Sequence, residues 1–174
     1  MDRFLKILIC LDQAFISDDT LDNLQTASQV GKTRVGGLNL NQSRMRAVFE
    51  AVIALAPVPQ GFSASDLATK IRATLGLAED QYSPRQAAYD LKKLRGKGFV
   101  TKIIRSRRYQ PTAEGLSMMT ALFVLREKVI KPVLAGAGKL KRGPKPKHQS
   151  LIDAIYQTIQ FAMRNLFEVL GIAV

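Results

Sequence analysis

The side chains best placed to do chemistry in this chain are cationic, and they occur in two clusters. Between Ser83 and Tyr109 there are nine Lys or Arg residues and one acid, Asp90. A second cluster, residues 139–147, adds five Lys or Arg and no acid. The whole 174-residue chain carries a net charge of +12, so the rest of it is close to neutral. Charge concentrated in this way indicates a polyanionic partner, and a solubilising surface is the alternative.

Residues that usually carry catalysis or bind transition metals are scarce. The chain has one histidine, His148, and one cysteine, Cys10. A zinc site, a histidine-based triad and a cysteine–histidine pair each need more such residues than one chain supplies. We therefore expect no enzyme activity, no metal and no cofactor; nuclease chemistry with carboxylates alone stays open, but no acidic cluster lies beside the basic one in the sequence. The single cysteine excludes an intrachain disulfide and favours a reducing compartment.

Two further patterns could suggest a ligand site, but each has a simpler explanation. Acidic residues 18, 19 and 22 suit the first turn of a helix, where carboxylates are stabilised by the helix dipole. The segment Gly31-Lys32-Thr33 ends like a phosphate-binding loop, yet Thr26 stands where that loop needs its first glycine. We reject a nucleotide site at this position.

The larger basic cluster lies on a predicted helix that leads directly into a hairpin. Ser83 is a predicted N-cap, with Pro84 at the first helical position and Gln86 three residues after the cap. One apolar stripe is formed by Ala87, Leu91 and Leu94. Glycines 96 and 98 end the helix. Two strands then follow, over 100–104 and 107–112, around a turn at Arg105-Ser106.

Other helices flank this unit. An apolar face predicts a helix over 44–56, capped by Asn41 or Ser43. Ser63 and Asp66 predict a capping box that starts a helix ending at Leu75. Residues 76–82 form the turn into the basic helix. After the hairpin, Thr112 caps a long helix that extends to about residue 134.

Outside this central region we expect helical extensions. The predicted domains are a helical leader over 1–37, a central domain over 38–135, a basic Gly/Pro/Lys linker over 136–149 and an amphipathic helix over 150–174. The leader contains helices over 2–15 and from about Ser17 to Gln29, and a loop over 31–37 separates it from the central domain. The apolar final helix must dock on its own domain, on the leader or on a second copy.

Two strings resemble a known family. Residues 91–100, LKKLRGKGFV, resemble the "L..L...GLV" hinge between recognition helix and wing in bacterial winged helix-turn-helix proteins of the MarR-like type. Residues 107–115, RRYQPTAEG, resemble the "RRY.lT.eG" return strand of the same family. The chain also looks like the C-terminal part of longer bacterial proteins, so it can be a fragment of such a protein.

The resemblance implies a mainly α fold with a small two-stranded β-hairpin, namely a winged helix-turn-helix with helical N- and C-terminal extensions. It implies double-stranded DNA binding, usually as a dimer, with a recognition helix (83–96) in the major groove and a basic wing (99–112) on the backbone or minor groove. A regulatory or mobile-element role follows as an expectation. Because winged helices also serve as interaction modules, the fold alone does not establish DNA binding.

The predicted DNA-binding residues fall into three groups. Base contact is predicted for Arg85, Gln86 and Tyr89, at the start of the helix. Phosphate contact is predicted for Lys92, Lys93, Arg95 and Lys97. The wing is predicted to contribute Lys102, Arg105, Arg107 and Arg108. The alternatives are that Gln86 only completes the capping box, that Tyr89 packs, and that one of the two adjacent arginines only covers the edge of the core.

Two other functions stay open. The apolar terminal helices could join two copies of the chain or dock a larger protein, and a basic wing could also bind RNA. The N-terminal apolar run is interrupted by Lys6 and Asp12, so we expect no signal peptide. The apolar segment 116–134 holds four charged residues, so we expect no membrane span and a cytoplasmic location.

Overall fold

The computed structural model of the protein describes residues 18–131 and 150–169. The chain divides into two compact units, one up to Phe123 and one from Val124 onward. The structure is mainly helical with small antiparallel sheets, which confirms the mainly α part of the predicted fold class. The predicted helix over 2–15 and the predicted linker over 136–149 lie outside the described residues.

The N-terminal part of the first unit is a short helix followed by a hairpin. Helix α1 spans Asp18–Gln25, and strands β1 (Ser28–Val30) and β2 (Thr33–Val35) pair antiparallel. Two predictions are therefore wrong, because the helix ends before residue 29 and the expected loop over 31–37 contains a strand. The hydroxyl of Thr26 donates to the carbonyl of Asn23 at 2.8 Å, which satisfies one of the helix's terminal acceptors. With Leu24 and Leu38 in the main core, this segment packs as part of the first unit.

Three helices enclose the core of the first unit. They are α2 (Ser43–Leu55), α3 (Ala64–Leu75) and α4 (Pro84–Gly96), and a two-residue strand β3 (Phe62–Ser63) precedes α3. Both α3 and α4 begin with the predicted capping boxes. The prediction for α2 is wrong in one detail, since its N-cap is Gln42, which makes no side-chain capping bond.

The hairpin after α4 belongs to a three-stranded sheet. Strands β4 (Val100–Lys102) and β5 (Arg108–Pro111) pair antiparallel, and β3 adds to the free edge of β5 in the order β3-β5-β4. The expected two-stranded hairpin therefore gains a third strand. The expected strand ends are also wrong, because the ladder stops at Lys102 and resumes at Arg108. We call residues 100–111, comprising β4, the turn and β5, the basic hairpin.

Helix α5 (Ala113–Val124) closes the first unit against the base of this hairpin. As predicted, Thr112 caps it: the amide of Gly115 donates to the Thr112 hydroxyl oxygen at 2.9 Å. Residues Leu125–Ile130 form a π-helical turn, so the single long helix expected here changes its hydrogen-bonding pattern. In the second unit, α6 spans Leu151–Val169. Within 18–131 and 150–169, no helix combines the length and apolar character needed to span a membrane.

Candidate functional site

Helix α4 has one buried face and one outward face of opposite character. The inward residues Ala87, Leu91 and Leu94 are fully buried in the core of the first unit. On the other side Arg85, Tyr89 and Lys92 follow one another at helical spacing, with the first two exposed and the third partly exposed. The outward face therefore presents cations and one aromatic ring.

The only acid in the basic cluster is buried and does not lie on this surface. Asp90 is 0% exposed. Its carboxylate accepts hydrogen bonds from Arg44 Nη2 of α2 at 3.0 Å and from the Tyr82 hydroxyl at 2.9 Å. Burial, and then the neighbouring Asp90 carboxylate, raise the pKa of Tyr82, which keeps its hydroxyl protonated and donating. The charges exposed on the outside of α4 are consequently all positive.

Gln86 is occupied by the helix start. Its side-chain carbonyl oxygen accepts from the backbone N–H of Ser83 at 2.7 Å, and the backbone N–H of Gln86 donates to the Ser83 hydroxyl oxygen at 3.4 Å. Two-point recognition of adenine needs both the carbonyl and the amino group of a Gln side chain. Such a contact would have to break the capping box. The position of Gln86 is therefore explained by the alternative that it only completes the capping box.

The alternative for Tyr89 was that it packs in the core, and the structure shows that it does not. It is 48% exposed. The Lys93 ammonium lies 5.1 Å from the centre of its ring, which is within the range of a cation–π contact. Tyr89 and Lys93 thus form a joint aromatic and cationic patch beside Arg85.

The last turn of α4 is covered in part by other elements, while Arg95 in this turn is exposed and stays a predicted phosphate contact. Lys97 Nζ donates to the carbonyl of Asn23 and, at 2.9 Å, to the Thr26 hydroxyl oxygen, and desolvation lowers the pKa of Lys97. A Cβ added at Gly96 would lie 2.7 Å from Ser28 Cβ, so the β1–β2 hairpin rests directly on this turn. Lys97 therefore ties α1 to α4 and does not face outward as a phosphate ligand.

The tip of the basic hairpin concentrates exposed cations. Lys102, Arg105 and Arg107 are all exposed. The amide of Ser106 donates to the carbonyl of Ile103 at 3.2 Å, which closes a four-residue turn with Ile104 and Arg105 at its two central positions. Arg105 has a φ of 56°, a left-handed conformation that costs a non-glycine residue roughly 1–2 kcal/mol. Its guanidinium is thus held at the far end of the hairpin.

Arg108, although adjacent in sequence, has a different role from Arg107. Its Nη1 donates to the carbonyl of Gly61 at 2.8 Å, which bonds β5 to the chain just before β3. Of the two arginines, Arg108 is therefore the one that bonds the edge of the fold, although its side chain is also exposed, and its DNA contact stays a prediction. Arg107 lies beyond the strand and remains exposed.

Sequence reasoning missed two further groups near this surface. Lys32 and Arg34 are exposed on the β1–β2 hairpin. Since Ser28, Val30 and Val35 face the last turn of α4, strand alternation puts Arg34 on the opposite, outer face of that hairpin. The alternation of Thr33, Arg34 and Val35 was the available signal, but a three-residue strand is too short to stand out.

Comparisons with protein-family models, with curated proteins and with solved structures found no match. The site is therefore interpreted from its own chemistry. Among the described residues, no group of three or more His, Cys, Asp or Glu side chains could hold a metal ion. The described surface has a row of cations on α4 and a second set of cations at the hairpin tip. The exposed Tyr89 lies between Arg85 and Lys93 on α4.

Proposed function

We propose that this chain is a double-stranded DNA-binding protein of the winged-helix type, with α4 as recognition helix and the basic hairpin as wing. The element order from α2 to β5 and the sheet order β3-β5-β4 support that fold assignment. The observation that carries the proposal is the burial of Asp90, because it leaves an outward surface with cations only. Such a surface matches the phosphate charge along a duplex.

The geometry of α4 favours a major groove. Its last turn rests in part against the β1–β2 hairpin, so we assign base-edge contact to the exposed Arg85 and Tyr89 near its start and phosphate contact to the exposed Arg95. Helix-turn-helix proteins meet base edges with the same end of their recognition helix. A-form RNA has a major groove too narrow for a helix, which makes duplex RNA the weaker candidate.

The hairpin assignment can be tested by removing charge. Replacing Arg105 and Arg107 together with alanine should weaken binding to all duplexes, because both are expected to contact phosphates. Each lost contact should flatten the slope of log K against log salt by about 0.9, so the double variant should be about 1.8 less steep. Fluorescence anisotropy with labelled duplexes over a range of salt concentrations measures this slope.

A matched control removes two positive charges elsewhere, with Lys70→Ala on α3 and Lys131→Ala in the second unit. It should keep the slope of the parent protein. Arg108 is excluded from the test because its bond to Gly61 holds the fold. If the hairpin variant kept the parent's slope, the wing assignment would be wrong. Equal affinity for duplex RNA would favour an RNA-binding function instead.

A further inference from the structure

An isoleucine stands at the most exposed corner of the basic hairpin. Ile104 is 88% exposed, in the turn closed by the bond from Ser106 to Ile103. Its neighbour Ile103 turns the other way, and its Cδ1 lies 2.8 Å from the place where a Cβ would be at Gly61. Of two identical adjacent side chains, one packs under the hairpin and the other points outward.

Ile104 makes no evident contribution to folding at this position. Turns usually carry Gly, Asn, Asp, Pro or Ser, but the two central positions of this turn hold Ile104 and Arg105. An apolar side chain that is almost fully exposed gains no burial in the folded chain. Its location, at the end of a rigid two-stranded hairpin, suits a contact made only in a complex.

The surroundings of Ile104 indicate what it would meet. Lys102, Arg105 and Arg107 are exposed near it, and these three cations line an open concavity of about 390 Å³ together with Ile103, Ser106 and Ile104 itself. An exposed apolar side chain beside three exposed cations complements a stack of bases between two phosphate chains. Apolar side chains of this size are inserted between base pairs from the minor groove by proteins that kink DNA.

We propose that Ile104 is an apolar wedge that enters a base step from the minor groove while the surrounding cations hold the two phosphate chains. This inference rests on the proposed DNA-binding function and adds a mode of action, namely local unstacking and bending. Unstacking is easiest at pyrimidine–purine steps such as TA and hardest in stiff A-tracts. The wedge should therefore make the protein prefer duplexes with a central TA step.

The experiment compares two duplexes, one with a central TA step and one with an A-tract, each labelled at both ends for energy transfer. A 2-aminopurine at the central step reports unstacking by its fluorescence. The parent protein should bind both, bend the TA duplex and prefer it by about tenfold. Ile104→Ala should still bind through the cations but lose most of the bend, the 2-aminopurine signal and the preference.

Two further variants sharpen the result. Ile104→Leu keeps an apolar wedge and should retain the bend, whereas Ile130→Ala removes an exposed isoleucine from the π-helical turn and should behave like the parent. If the parent bound and Ile104→Ala bent and unstacked the duplex equally well, the wedge would be overturned and the proposed function would stand. If the parent bound no duplex at low salt, the proposed function itself would fail.

Discussion

Residues of the same type, close together in sequence, have different roles because their neighbours in the fold differ. Arg107 ends in solvent, whereas Arg108 bonds the carbonyl of Gly61. Lys93 lies over the ring of Tyr89, whereas Lys97 is bonded to the end of α1. The sequence shows all four as members of one basic cluster. Arg108 and Lys97 differ from Arg107 and Lys93 because they bond residues that are distant along the chain.

The contacts of Asp90 show most clearly how such neighbours affect the free energy of unfolding. Its carboxylate is fully buried, and its partner Arg44 has a side chain that is 39% exposed. Replacing Asp90 with alanine would leave the Tyr82 hydroxyl without its acceptor and Arg44 without its counter-ion. We expect a loss of about 3 kcal/mol in the free energy of unfolding, near the lower end for a broken buried pair because Arg44 can still reach water.

Urea unfolding of the purified variant measures this loss. Tyr82→Phe removes one hydrogen bond to a charged acceptor and should cost about 1.5–2 kcal/mol. Glu50→Ala removes an exposed acid from α2 and should change stability by less than about 0.5 kcal/mol. A loss for Asp90→Ala no larger than that for Glu50→Ala would contradict the role given to the Asp90 cluster.

Among the elements, the basic hairpin is positioned mainly by its base. The hydroxyl of Thr112 donates to the carbonyl of Gly98 at 2.8 Å, and the amide of Thr112 donates to the carbonyl of Phe99 at 3.1 Å. Gly115, in the first turn of α5, lies against the backbone of Phe99. These contacts clamp the start and the end of the hairpin together, so its tip extends from a fixed base.

Gly115 makes this close approach possible, and its replacement tests the clamp. A Cβ there would lie 2.3 Å from the carbonyl oxygen of Phe99 and 2.4 Å from its Cα, both of them backbone atoms. Gly115→Ala should therefore lower the free energy of unfolding by about 1–3 kcal/mol, although alanine is favoured over glycine within a helix.

The matched control for this prediction is Gly36→Ala, since a Cβ at Gly36 meets nothing within 4 Å. It should leave stability unchanged or raise it slightly, because alanine restricts the unfolded chain. Urea unfolding of both variants makes the comparison. Equal stability of the two would show that Phe99 can move away at little cost and that the clamp is weak.

For the whole molecule, the arrangement of charge and apolar surface suggests two separate sites of interaction. In the first unit, a cluster of cations lies on α4 and the basic hairpin, and the one acid of that cluster is buried. In the second unit, α6 exposes apolar side chains that the sequence predicted to need a partner; these include Leu151, Ile152, Ile155, Leu166 and Val169. Docking of α6 on a second copy or on another protein stays a prediction.

The composition of the cationic surface predicts how the proposed DNA binding should depend on pH. Lys and Arg side chains keep their charge throughout the neutral range, and the chain has only one histidine, His148. At constant ionic strength, affinity for duplex DNA should therefore change by less than about twofold between pH 6 and pH 8. Anisotropy titrations at several pH values measure it. A steep decrease would place a titrating group, with His148 the first candidate, in the interface.

Local patterns sufficed for the capped helices, whereas the short strands and the roles of single cations depended on distant contacts. The capping boxes at Ser63 and Ser83 and the apolar stripe of α4 were predicted correctly, since each depends on residues within one or two turns. Strands β1, β2 and β3 were missed because two or three residues carry too little periodicity, and they form only when a partner strand is nearby.

For the same reason, the sequence alone could place nine cations in one stretch, but not decide which of them are bonded to other elements of the fold. That decision came from tertiary structure, where Gly61 binds Arg108, α1 binds Lys97 and Arg44 neutralises Asp90. A buried charge must find a partner, and the nearest one is set by the fold and not by sequence distance.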